Sequence, residues 1–176
     1  ITNPWGIIMK SLYFKSLAVP LCLLLFSGCE NPVRKLPLGV IGGTEPVYVE
    51  PFSAPFPGKV DTGADIASIG ATGIREFRKD GKRYVAFTIA QRGTGSVRNY
   101  ELPLVRVIPI TRHEQKPLKR YVVHLRIRLG SVEMTREFSL ADRSNFKYQV
   151  LLGKNVIAGN AAVDVTRENT LETHRN

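Results

Sequence analysis

Short apolar runs broken by glycine and proline dominate the chain, and where they alternate the period is two rather than three or four. Val123, Leu125, Ile127 and Leu129 share one face of an extended segment from Tyr121 to Leu129, while His124, Arg126 and Arg128 share the other. Gly130-Ser131 then turns the chain into a second extended segment, Glu133 to Leu140, so the two predict a hairpin. Further strands are predicted around Val47 and Val49, from Lys59 to Asp61, and from Tyr84 to Ile89. Leu102 to Ile108 predicts one more, bounded by prolines that cannot donate to a ladder. Helical periodicity is scarce, and one short helix is expected after Gly153, from Asn155 to about Ala158. No internal repeat or low-complexity block is present. The pattern predicts an all-β domain over residues 38–166, followed by a polar tail at 167–176.

The N-terminus follows a different logic. Residues 1–8 precede Met9 and read as a mis-set start. Lys10 and Lys15, the apolar run Leu17 to Phe26 and the exit Ser27-Gly28-Cys29 make a secretory signal at 9–28, too short to span a bilayer. Two small residues before a cysteine resemble a bacterial lipoprotein signal, in which Cys29 carries the lipid, although Phe26 stands where leucine is usual. The alternative is an ordinary cleaved signal. Glu30 after the cysteine points to the inner leaflet of the outer membrane, facing the periplasm, with residues 29–37 as a tether. Cys22 lies in the leader, so a disulfide framework and a thiol catalyst are both excluded.

Composition is that of a globular domain, with 43% hydrophobic and 23% charged residues and a net charge of +10. Without the leader, 23 basic residues face 15 acidic ones, leaving about +8. No lysine- and arginine-rich run of nucleic-acid type appears. Anionic headgroups or an acidic substrate are the partners such a charge suits, beside the plain reading of a solvated basic surface.

Lys59-Val60-Asp61-Thr62-Gly63-Ala64-Asp65 carries the candidate chemistry. An acid, a small hydroxyl residue and a glycine, entered from an apolar residue, present a carboxylate as an aspartic peptidase does. Peptide hydrolysis by that route needs two carboxylates sharing a proton, and the chain has one Asp-Thr-Gly. A two-fold homodimer supplies the second from its own copy. His113, His124 and His174 form no zinc-binding spacing, and Gly93-Thr94-Gly95 lacks the ending of a phosphate loop; no metal or cofactor is expected.

Roughly ninety residues downstream, Tyr148-Gln149-Val150-Leu151-Leu152-Gly153-Lys154-Asn155 supplies large apolar residues, a glycine and a basic residue. With Asp61-Thr62-Gly63 it resembles the bacterial retropepsin-like peptidases often labelled ATP-dependent zinc proteases and associated with RimK/LysX. Further landmarks include Glu45, Phe87, Glu101 to Val105, Arg120 to Val123, Ser139 to Ser144 and Ala162 to Val165; Gln149 and Lys154 replace the usual proline and arginine. The resemblance implies a closed retropepsin-like β-barrel with one short C-terminal helix and Asp61 as the catalytic group. It implies that Thr62 bonds across the dimer axis, that Gly63 brings its backbone alongside substrate, and that Ala64 is a supporting residue of the same loop. It implies that Gly153 permits a close backbone crossing and that Asp65 pairs with Lys154, more loosely than with arginine. It implies that Asp142-Arg143 is structural, and that Gln91 to Asn99, with Gly93, Thr94 and Gly95, covers the substrate as a flap, unless it is a plain hairpin loop. The leading expectation is an envelope-tethered homodimeric endopeptidase acting on a polypeptide. Its rivals are a non-catalytic scaffold of the same fold and an electrostatic envelope-binding protein.

Overall fold

A computed structural model describes residues 35–112 and 115–171. The leader, Cys29, the tether up to residue 34, His113, His174 and the last five residues lie outside the described residues. In chain order the strands are β1 (Gly39–Gly42), β2 (Thr44–Val49), β3 (Phe56–Val60), β4 (Ala67–Gly70), β5 (Thr72–Lys79), β6 (Lys82–Ala90) and β7 (Val97–Pro103). There follow β8 (Arg106–Arg112), β9 (Gln115–Leu129), β10 (Val132–Ala141), β11 (Val150–Leu152), the helix α1 (Lys154–Ile157) and β12 (Ala161–Asp164).

Strands β10, β4, β11, β3, β2 and β9 pair in that order, and β9 pairs back with β10 to close a six-stranded barrel. The fold is all-β and retropepsin-like, with one short helix, as expected. Closure removes the exposed edges that make open sheets sticky. Alternation puts Val123, Leu125, Ile127 and Leu129 inside, against Val47, Val49, Phe56, Ile69, Phe138 and Val150. Each such fully buried side chain contributes about 1.5–3 kcal/mol. β8 pairs with β9 outside the closed circuit, while β5, β6 and β7 form a separate three-stranded sheet. Its β6 buries Val85, Phe87 and Ile89.

The single strand expected from Leu102 to Ile108 is instead the end of β7 and the start of β8. Pro103 cannot donate, and the next two amides change partner: Leu104 N–H reaches Arg83 O at 3.0 Å and Val105 N–H reaches Val122 O at 2.9 Å. The chain thereby crosses from the small sheet to the barrel, a handover invisible in hydropathy.

Residues that read as the start of a polar tail are docked. Gly43 N–H bonds Arg167 O at 2.8 Å and Asn169 N–H bonds Thr44 O at 2.7 Å. The fully buried carboxylate of Glu45 accepts the N–H of Gly42, the N–H and hydroxyl of Thr170 and the N–H of Leu171. A β-carbon on Gly42 would lie 2.5 Å from Arg167 O, so this crossing needs glycine.

Candidate active site

The acid loop connects β3 to β4, and β11 lies between those two strands, parallel to β3 and antiparallel to β4. Because β11 fills the gap, the loop must pass over its end. Asp61 N–H bonds Leu152 O at 2.9 Å, Lys154 N–H bonds Ala64 O at 2.7 Å, and Asn155 N–H bonds Asp65 O at 3.2 Å. A β-carbon on Gly153 would sit 2.6 Å from Ile66 C and 2.9 Å from Ala64 O. Gly153 itself has φ −91°, so space rather than backbone conformation demands glycine here. The crossing ties Asp61-Thr62-Gly63 to Val150-Leu151-Leu152-Gly153, two signatures far apart in sequence.

Within the loop, Asp61 Oδ1 accepts Gly63 N–H at 2.9 Å and Ala64 N–H at 3.2 Å. These bonds orient the carboxylate of a half-buried residue. A β-carbon on Gly63 would approach Oδ1 to 3.3 Å, tighter than most contacts. Thr62 and Gly63 are exposed at the loop tip.

Lys154 Nζ meets Asp65 Oδ1 at 2.5 Å, with the side chains 53% and 87% exposed. That exposure makes the pair weak in stability terms. The hydrogen bond from Lys154, with its charge, holds the Asp65 carboxyl below its ordinary range. Asn155, beside it, accepts Ala67 N–H and donates to Glu137 O, fastening the helix to β4 and β10.

A cavity of about 470 Å3 opens beside Asp61 and Asp65, walled by Ile108, Leu151 and three arginines. Arg106 comes from β8, Arg120 from β9 and Arg143 from the loop after β10. Arg143 donates to Tyr148 O at 3.0 Å and Ser68 Oγ at 3.1 Å, which bears out a structural part for it. It also faces the cavity, which the sequence reading did not assign. Burial first, then Arg120 and Arg92, lower its pKa, with Asp61 acting in the opposite sense. Asp142 caps its own turn by accepting Ser144 N–H at 2.9 Å.

Gly93, Thr94 and Gly95 lie in the turn between β6 and β7, where both glycines have positive φ. Gln91, nearly buried, pins that turn to Ala54 O and Pro55 O at 3.0 Å each, and Gln149 bonds Ala90 O and Arg92 N–H. None of the three turn residues lines the cavity beside Asp61; the hairpin that does is β8–β9. The glycines signalled a turn correctly, but chain topology decides which strands line the cavity. Arg106 and Arg120 carried no motif. Only the cavity brings them together with Asp61.

Comparison with known proteins agrees with this geometry. Residues 40–174 match the family model described as "Retropepsin-like aspartic endopeptidase RimB". A crystal structure of a Legionella pneumophila protein of unknown function superposes with a TM-score of 0.66 at 32% identity, covering 76% of this chain and 98% of that one. A Shewanella pealeana protein named "Probable alpha-L-glutamate ligase" is 31% identical over 108 residues, 60% of this chain and 24% of the relative. A Parasynechococcus marenigrum protein of the same name is 28% identical over the same length, 23% of its own. The chain thus spans about a quarter of the curated relatives it matches.

Proposed function

The chain belongs to the family of the retropepsin-like aspartic endopeptidase RimB, and on that premise we propose that it is a homodimeric aspartic endopeptidase with one Asp61 from each subunit. The supporting observation is the loop crossing that fixes Asp61 over Leu152-Gly153 while leaving Thr62 and Gly63 exposed for a symmetric neighbour. In the proposed site one Asp61 is ionised and takes a proton from a water. The other is protonated and donates a hydrogen bond to the scissile carbonyl oxygen. Water oxygen bonds to the carbonyl carbon, giving a tetrahedral diol. Proton transfer to the amide nitrogen then lets the C–N bond break, releasing an acid and an amine. Exposed Val40 on β1 and exposed Val165, just past the end of β12, offer apolar area for pairing. In the proposed dimer, residues 91–99 remain the candidate cover, while β8 and β9 supply Arg106, Ile108 and Arg120 to the cavity wall.

The substrate in this reading is a glutamate-rich polypeptide. The curated relatives are named for α-L-glutamate, and this chain is strongly basic. Lipidation at Cys29 would place the site on the periplasmic side of the outer membrane and raise the effective concentration of pairing subunits. A second reading, a non-catalytic binding module, takes its support from the small share of those ligases that the chain matches.

Asp61→Asn separates the two readings. In a dimer verified by sedimentation, wild type should cleave glutamate-rich peptides somewhere in roughly pH 4–7, and the variant should not. Wild-type dimer that cleaves nothing there, or a variant that cleaves as well as wild type, would overturn the enzyme reading.

A further inference from the structure

The β5–β6 hairpin carries a charge pattern that its own folding does not call for. Asp80 and Gly81, with φ of 49° and 74°, close it as a tight two-residue turn, which holds the flanking residues in register. Lys79 lies directly opposite Lys82, and Arg78 directly opposite Arg83. All four residues are exposed. Two successive like-charge pairs across a ladder are destabilising, where opposite charges would hold the strands together.

Edge protection accounts for only part of this. β5 is an edge strand, and cations there discourage pairing with a stray strand. Lys82 and Arg83 stand on β6, the central strand of the small sheet, which needs no such guard. Alternation puts Lys79 and Lys82 on the face away from Val85, together with Arg75, and puts Arg78 and Arg83 on the face that carries Glu76. Arg83 donates to Glu76 at 2.6 Å. That hydrogen bond, and after it the charges of Arg83, Lys119 and Arg78, hold the Glu76 carboxyl below its usual range, so one acid serves three cations. Among the described residues, Arg75, Arg78, Lys79 and Lys82 form no ion pair. Elsewhere cations are matched: Arg106 pairs with Glu137, Arg126 with Glu50 and Glu133, and Lys154 with Asp65.

We propose that this hairpin is a docking surface for an anionic lipid bilayer, with Arg75, Arg78, Lys79, Lys82 and Arg83, and Lys119 beside them, set among phosphate headgroups. The surface is separate from the acid-loop cavity, to which none of the six contributes. Phosphates between the like-charged pairs would relieve the repulsion that the fold alone leaves in place. A nucleic acid suits the hairpin less well. Phe77 and Tyr84 are half-buried and pack on each other at 5.8 Å, with Arg75 over the Phe77 ring at 5.6 Å, so these rings are engaged rather than offered to bases. A lipid on Cys29 would also hold the domain close to a bilayer, since residues 29–37 reach at most about 30 Å. The choice of a bilayer rests on that envelope reading of Cys29; the binding step does not.

The test partitions the full chain, at physiological ionic strength, onto vesicles of phosphatidylcholine mixed with phosphatidylglycerol and onto vesicles of phosphatidylcholine alone. The anionic-to-neutral ratio cancels whatever the apolar leader adds to both. Arg78→Gln, Lys79→Gln and Lys82→Gln together should lower that ratio by roughly 100-fold, about fivefold per charge. The triple variant should melt no lower than wild type, because it removes both like-charge pairs. Taking three charges from elsewhere, as Arg126→Gln, Arg136→Gln and Lys147→Gln, should leave the ratio within about threefold of wild type, since exposed charges beyond a Debye length are screened. Equal losses in the two triple variants would mean that net charge acts without a dedicated surface, and would overturn the proposal. So would hairpin-dependent capture of single-stranded RNA tighter than that of the anionic vesicles, which would assign the hairpin to nucleic acid. Hairpin-dependent binding to anionic vesicles, by a chain whose Cys29 carries no acyl group in cells, would sink the anchor reading alone.

Discussion

Glu45 and Asp61 are both landmark acids, and the fold treats them in opposite ways. Glu45 is fully buried, and four donors from Gly42, Thr170 and Leu171 converge on it. Asp61 accepts two N–H groups of its own loop and otherwise looks into an open cavity. A carboxylate whose partners are complete within the chain holds structure together. One oriented by its loop beside a cavity is available for chemistry.

The largest expected effects test that division directly. Asp61→Asn should lower cleavage by roughly 10³-fold or more while leaving thermal stability nearly unchanged, because asparagine keeps the acceptor for Gly63 and Ala64. A collapse of stability in place of activity would erase the contrast. Glu45→Ala should behave in reverse. It strands buried donors at three residues and should cost about 2–4 kcal/mol in denaturant unfolding, with cleavage per folded dimer retained. A stable Glu45→Ala protein would show that the C-terminal docking is incidental.

Gly153→Ala joins the two regions, since its β-carbon would strike the backbone of Ile66 and Ala64. It should cost about 1–3 kcal/mol and also lower activity by displacing the acid loop. The smallest effect belongs to Lys154→Met. Lys154 lowers the pKa of Asp65, so the pair's contribution is present above the ordinary carboxylate range and fades as pH falls through the lowered value. Carboxyl titration by NMR should show Asp65 returning upward in the variant, with little change in melting at neutral pH.

How much of this was legible in the sequence differs by element. Period-two alternation located β9 and β10 and their inward faces, because a barrel strand with one wet face must alternate. The short helix was readable from Gly153 onward and spans Lys154–Ile157. Both halves of the acid-loop crossing were legible, since close backbone contact restricts residue choice at Gly153 to glycine. The β7–β8 handover was not, because Leu104 and Val105 look like continuing strand and differ only in which strand their amides address. Nor could the sequence reveal that β8 and β9 supply Arg106, Ile108 and Arg120 to the cavity beside Asp61. Arg120 was visible as a residue but not as a neighbour of Asp61, a placement only the assembled cavity confers.

Subunit mixing tests the central claim, that one site is built from two copies of Asp61. Wild-type and Asp61→Asn chains, co-refolded in equal amounts and verified as dimers, should give about one quarter of the activity of the same total of wild type, because only dimers with two intact acids cleave. Activity of about one half would mean that each subunit works alone, and would contradict the account.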